Sequence, residues 1–295
     1  MPLPILRAEQ TYLGLIDEAE RLPALLRAMA SEGKDDMMAG DELPEVTLRR
    51  LEAWATHEYL GSLHLLRRAD VAFAVEVVLR GLLEFYAHVA WIHHGLPGDG
   101  TQSPRMRALC LELGIATEAN AALKKKLLGW GAFDKRAEAA ATQRLADVNL
   151  LHSAEGCSCK GRNWRGVLPV LENLRRQGIV WPQGLWVISS AAAHQLLPGR
   201  VEVDLGDGTS DFLSIAAYQW RAALLEYVIR AFGLAGVRIL DMVQSAESAE
   251  RLRLWCEHFV ADERLKSAAD GRLDRSAMEQ MSAISATIRR GHPAP

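Results

Sequence analysis

The sequence predicts an all-α protein, a helical bundle around a long buried central helix with a helical insertion. Three observations predict this. Alanine and leucine are abundant while aromatic residues make up only 6% of the chain, a balance that favours helix. Between Asp70 and His93 apolar side chains cover nearly the whole circumference of a helical wheel, as in a helix packed on all sides. Only one short segment, 201–205, reads as a strand, with Gly206-Asp-Gly208 as its turn. The 295 residues, 49% hydrophobic and 24% charged, suffice for one large helical domain or two small ones.

Apolar positions Leu13, Ile16, Leu22, Leu25 and Leu26 predict a first helix over 5–29. A polar loop follows over 31–45, then a helix over 46–68. The central helix spans 70–93 and stops at Gly95-Leu-Pro97-Gly98, where a donor is missing and positive φ is allowed. At ~1.5 Å per residue it is about 36 Å long, enough to cross a domain. Short helices are expected at 104–114, 117–128 and 134–148, a Gly/Ser/Cys loop at 150–164, and helices at 166–177 and 183–197, with Pro182 opening the latter. A long helix is expected from Ser210 or Asp211 to Phe232, with Gly233 as its stop, followed by helices at 236–245, 246–264 and 275–290. The expected division is an N-terminal helix and loop (1–45), a main domain (46–245, with 97–180 as a helical insertion or subdomain) and C-terminal helices (246–295).

The central helix carries an anomaly. Glu76, Arg80, Glu84 and His88 recur every four residues, so they form one row on a helix that is otherwise apolar. Unpaired burial of such groups costs several kcal/mol. The row must pair internally as a salt-bridge ladder, find partners on another helix, or line a pocket. A facing segment is available in Trp186-Val-Ile-Ser189-Ser190-Ala-Ala-Ala193-His194, where Ser190 and His194 share a face and the alanines allow close approach.

Arg80-Gly-Leu-Leu-Glu84 followed by Trp186-x3-Ser190-x3-His194 resembles a bacterial family of helical proteins of unknown function, in which an Arg-x3-Glu helix precedes an aromatic-x3-Ser-x3-His helix. The resemblance covers roughly residues 45–232. It departs from the family pattern at Gln195, where a proline commonly follows the histidine, and at Trp186, more often tyrosine. It implies that Arg80, Glu84, Ser190 and His194 come together in space as the candidate catalytic set; it supplies no reaction.

A second pattern, Arg253-x4-His258, resembles the motif of HEPN-type ribonucleases, helical bundles in which arginine stabilises phosphate charge while histidine moves the 2′-hydroxyl proton. The polar residue that follows arginine in that motif is Leu254 here. Arg253 and His258 are therefore the alternative catalytic pair, with a metal-independent ribonuclease or toxin of bacterial defence as the implied activity.

His152-x4-Cys157-x-Cys159 offers three zinc-ligand types but no second cysteine pair nearby, so no metal is assigned. Glu84-x3-His88 misses the Glu-x2-His spacing of di-iron sites by one residue. His93-His94 close a helix, where positive charge suits the dipole. No phosphate loop or dinucleotide fingerprint is present and no cofactor is expected.

The net charge of −3 gives no global reason to expect nucleic acid or anionic membrane. Between Pro104 and Arg176, however, 13 Lys/Arg face 7 Asp/Glu, so RNA stays on the list of partners beside an unknown small ligand and a second copy of the chain. Four cysteines without a framework, no secretion signal and no long apolar run predict a cytoplasmic protein with free thiols and no membrane partner. Three function classes follow: a ligand-binding or catalytic pocket at the Arg80–Glu84 row, a HEPN-like ribonuclease, and an interaction protein whose row is a structural ladder.

Overall fold

A computed structural model describes residues 4–32, 43–68, 74–98, 103–125, 132–156, 166–193, 203–204, 210–211, 215–243 and 246–269. These residues form an all-α bundle: α1 (Pro4–Ala19), α2 (Leu22–Glu32), α3 (Leu43–Leu66), α4 (Val75–His94), α5 (Pro104–Lys124), α6 (Ala132–Ala154), α7 (Val167–Arg176), α8 (Trp181–Ala193), α9 (Ile215–Met242), α10 (Ala246–Val260) and α11 (Glu263–Ala269). A two-residue antiparallel pair, Val203–Asp204 with Ser210–Asp211, stands at the segment read as strand and turn. No described helix is long and apolar enough to cross a membrane.

The core lies between α4 and α9. Phe232 stacks on Tyr59 of α3 with centroids 4.5 Å apart and tilts against Phe85 of α4 at 5.9 Å. Helix α4 buries Trp91, Tyr86 and most of its aliphatic residues, as its sequence requires. Gly95, at φ 69°, ends it and donates to the Trp91 carbonyl at 2.7 Å. Arg107 of α5 then satisfies the last carbonyls, donating to Ile92 and His93 at 2.9 Å each. The cation at this helix end is thus an arginine. His94 is pushed down to about 4 by burial and by Arg238, and is neutral.

Several expected boundaries shift, each for a local reason. The helix expected at 5–29 is two helices, because Pro23 would remove a donor and clash with the carbonyl four residues earlier; it fits only in the first turn of α2. The helices expected at 104–114 and 117–128 are one, α5, which runs through Gly114. Helix α6 extends to Ala154, past the expected loop start, and turns at Gly156 with φ 67°. The helix expected at 246–264 breaks at Ala261–Asp262, where Asp262 Oδ1 accepts from the Arg264 backbone at 2.8 Å and starts α11. The helix expected at 275–290 lies outside the described residues.

The largest correction concerns Gly233. It does not stop a helix; α9 continues through it to Met242. A Cβ at 233 would collide with the Cys256 sulfur of α10, and one at 236 would press on Leu26 and Leu252. These glycines are contact sites where α2 and α10 approach α9, so close approach outweighs their poor helix propensity of ~1 kcal/mol. Gly233→Val should therefore destabilise by about 2–3 kcal/mol in urea unfolding, through overpacking. Gly14→Ala in α1, where nothing lies within 4 Å, should be neutral or stabilise by up to ~1 kcal/mol. Equal effects of the two would refute the packing account.

Two buried charges bind the bundle together. Arg221 of α9, 1% exposed, donates through Nε and Nη2 to the Leu66 carbonyl of α3 at 3.1 and 2.7 Å, and its guanidinium sits 4.6 Å above the Tyr12 ring of α1. Glu112 of α5, also buried, pairs with Arg50 of α3 and with Arg144 of α6 at 2.7 Å, tying the α5–α6 hairpin to α3. Two cations on one carboxylate repel: burial and then Arg144 lower Arg50 to about 10.

Candidate functional site

The polar row of α4 faces different neighbours along its length. Glu76 is buried at 3% exposure. Burial pushes His88 down to about 4, and its Nδ1 is shielded from solvent. Between them Arg80 and Glu84 lie only partly covered. The guanidinium of Arg80 lies 4.9 Å from the centroid of the Trp186 ring on α8, a cation–π contact. No ion pair joins Arg80 to Glu76 or Glu84, so this stretch of the row is not a continuous ladder.

The row gains a residue that the sequence did not single out. Glu58 of α3 places its carboxylate over Gly81, in the space a Cβ there would fill. Gly81 is the single glycine within α4, and this close approach is the reason it suits the position. The Glu58 Oε2 is shielded from solvent and accepts no hydrogen bond. Burial, then the charge of Glu84, pushes Glu58 up to about 7. Glu84 is itself raised, first by burial; Arg80 opposes the shift and Glu118 of α5 adds to it. Two carboxyl groups with raised proton affinity therefore meet at the α3–α4 crossing, beside a guanidinium that leans towards α8. The glycine in the row was the one available signal for Glu58.

Of the set implied by the first resemblance, Arg80 and Glu84 share one stretch of α4 and are electrostatically coupled, and Arg80 touches Trp186. Ser190 stands one turn beyond Trp186 on α8 but makes no hydrogen bond to Arg80 or Glu84. His194 lies outside the described residues. The alternative pair sits elsewhere, on α10: His258 is exposed, and Arg253 is held by Glu250 and Glu257 at 2.5 Å each.

Among the described residues no three His, Cys, Asp or Glu side chains converge on one point. The expectation of free thiols holds for Cys256, which burial pushes up to about 12, but not for Cys110, which is disulfide-bonded. Cys157 and Cys159 lie outside the described residues.

Fold and site together define a class: an all-α bundle with two carboxyl groups of raised proton affinity at one helix crossing and an arginine–tryptophan contact alongside. No family model matches the chain, and comparison with curated proteins and with solved structures finds no match.

Proposed function

We propose that the Glu58–Arg80–Glu84 cluster binds a small cationic ligand, an amine, and that Glu58 exchanges a proton with it. One observation carries this reading: a shielded carboxylate oxygen without a hydrogen bond, on a group poised near neutrality, beside a second raised carboxyl. An ammonium group would supply the missing donor and remove the repulsion between Glu58 and Glu84. Trp186 adds an aromatic face at the edge of the cluster. Proton exchange near pH 7 would also suit general acid–base chemistry on the bound amine. We place this activity in the cytoplasm. The ribonuclease reading has no comparable support, because Arg253 already holds two carboxylates.

The test is a panel of small mono- and diamines scored by thermal shift at about pH 6 and about pH 8. A binding amine should stabilise more at the higher pH, where Glu58 is ionised. Its effect should fall at least about tenfold in apparent affinity in Glu84→Gln. Amines that stabilise Glu84→Gln and the parent protein equally would sink the proposal.

A further inference from the structure

Helix α4 ends among cations. Its last two residues, His93 and His94, meet edge to face, with His93 Nδ1 3.0 Å from His94 Nε2. One ring donates to the other, so the accepting ring carries its own N–H on its other nitrogen and keeps it for a further partner. Arg107 of α5 reaches this end to cap the Ile92 and His93 carbonyls. Arg238 arrives from α9. Its guanidinium lies 5.3 Å from the Tyr86 ring centroid, and its Nη2 donates to the Tyr86 hydroxyl at 3.3 Å. Tyr86 precedes His93 by seven residues, about two turns, on the same face of α4. Trp181 of α8 stacks on Tyr86 at 5.6 Å and so holds the ring against which Arg238 rests. The other terminal nitrogen of Arg238, Nη1, is shielded from solvent and has no hydrogen-bond partner among the described residues. The two rings feel both guanidinium groups: burial, then Arg238, pushes His93 down and His94 down to about 4, and Arg107 adds to both effects. His93 also acts on His94, and Asp241 of α9, an exposed carboxylate, opposes them there.

We propose that this end of α4 binds a dianionic phosphoryl group, that of a phosphate monoester, between Arg238 and the His93–His94 pair. One phosphoryl oxygen supplies the acceptor for Arg238 Nη1, and another takes the remaining N–H of the histidine pair. Two negative charges offset the mutual repulsion of Arg107, Arg238 and the imidazoles, whereas a carboxylate brings only one. With the anion in place the pair takes up a proton from solvent, because the bound charge favours imidazolium and the added N–H makes a further charge-assisted bond. Asp241 is the charge that works against binding. The site lies about 15 Å along α4 from Glu84, at ~1.5 Å per residue, and does not depend on the amine site there.

The full-length protein, with its histidines labelled for nitrogen NMR, is titrated with sodium sulfate, a dianion at every pH used, against sodium chloride at matched ionic strength. At about pH 5.5 the His94 ring should be neutral in chloride and protonated in sulfate. Sulfate should bind about threefold or more tightly at about pH 5.5 than at about pH 7.5. The double variant His93→Gln/His94→Gln should still bind at the higher pH and lose this dependence. Arg238→Gln should weaken sulfate binding about tenfold or more at both pH values. At about pH 7.5 methyl phosphate should bind at least as tightly as sulfate, and acetate about tenfold or more weakly. A histidine pair that does not respond to sulfate overturns the site, as does full affinity in Arg238→Gln or acetate that matches methyl phosphate.

Discussion

Arg221→Ala should cost about 3–5 kcal/mol of folding stability, the largest effect expected of any single substitution in this protein. The side chain is among the largest fully buried ones. Truncation leaves a cavity next to Tyr12, removes two donors from the Leu66 carbonyl at the end of α3, and cuts a link that joins α1, α3 and α9. The cavity and the orphaned carbonyl contribute separately. Arg221→Met keeps most of the volume but loses the donors and the cation over Tyr12, so it should cost about 2 kcal/mol. Urea unfolding with an unchanged m-value measures both. A loss below about 1 kcal/mol for the alanine variant would mean that the buried guanidinium is barely stabilising, the outcome known for some buried ion pairs.

Glu58→Gln should remove a pH dependence of stability and make the protein more stable than its parent at alkaline pH. Glu58 has its proton affinity raised in the folded state, from 4.5 to about 7. Between those values the folded protein holds more protons than the unfolded chain, so stability is full below 4.5 and falls as pH rises through 7. The glutamine variant keeps the shape and cannot ionise. After discounting for partial exposure, the advantage of the variant at about pH 8 is of the order of 1–2 kcal/mol.

His88 and His94 act in the opposite direction. Both are depressed to about 4, so the stability they confer is lost as pH falls from 6.5 towards 4. The difference between parent and variant therefore isolates Glu58, while either curve alone mixes the two. Above about pH 5 the variant keeps the slope of His88 and His94, opposed by Glu84, which is also raised. Superimposable curves would show that Glu58 ionises as an ordinary exposed carboxyl, and the proposed amine site would lose its main support.

The residues of the candidate site differ in how far the sequence revealed them. The four-residue spacing of Glu76, Arg80, Glu84 and His88 is a property of one helix and predicts a buried row; the packing buries Glu76 and leaves Arg80 and Glu84 only partly covered. Glu58 belongs to another helix, 23 residues before Gly81 in the chain. Its approach to Gly81 depends on how α3 crosses α4, and no local pattern encodes that crossing. The same holds for Cys110 of α5 and His152 of α6, whose Sγ and Nε2 stand 3.9 Å apart although 42 residues separate them in the chain.

Glycines mislead sequence reading for a related reason. Gly95 ends α4 because its backbone enters positive φ, whereas Gly233 and Gly236 stay helical because neighbouring helices need the space. Residue type alone does not separate these uses; the partner does. Pro23 was decisive locally, and its effect on the first helix was open to sequence reasoning from the start.

The sequence by itself determined the helical class, the burial of α4 and the existence of a polar row, because each follows from periodicity within one segment and from the cost of exposing apolar surface. Only the tertiary structure decided what the row meets: Glu58 over Gly81, Trp186 under Arg80, and no ladder between Arg80 and Glu84. Those contacts join residues far apart in the chain, and their energies depend on burial and on neighbouring charge, quantities set when helices pack against one another.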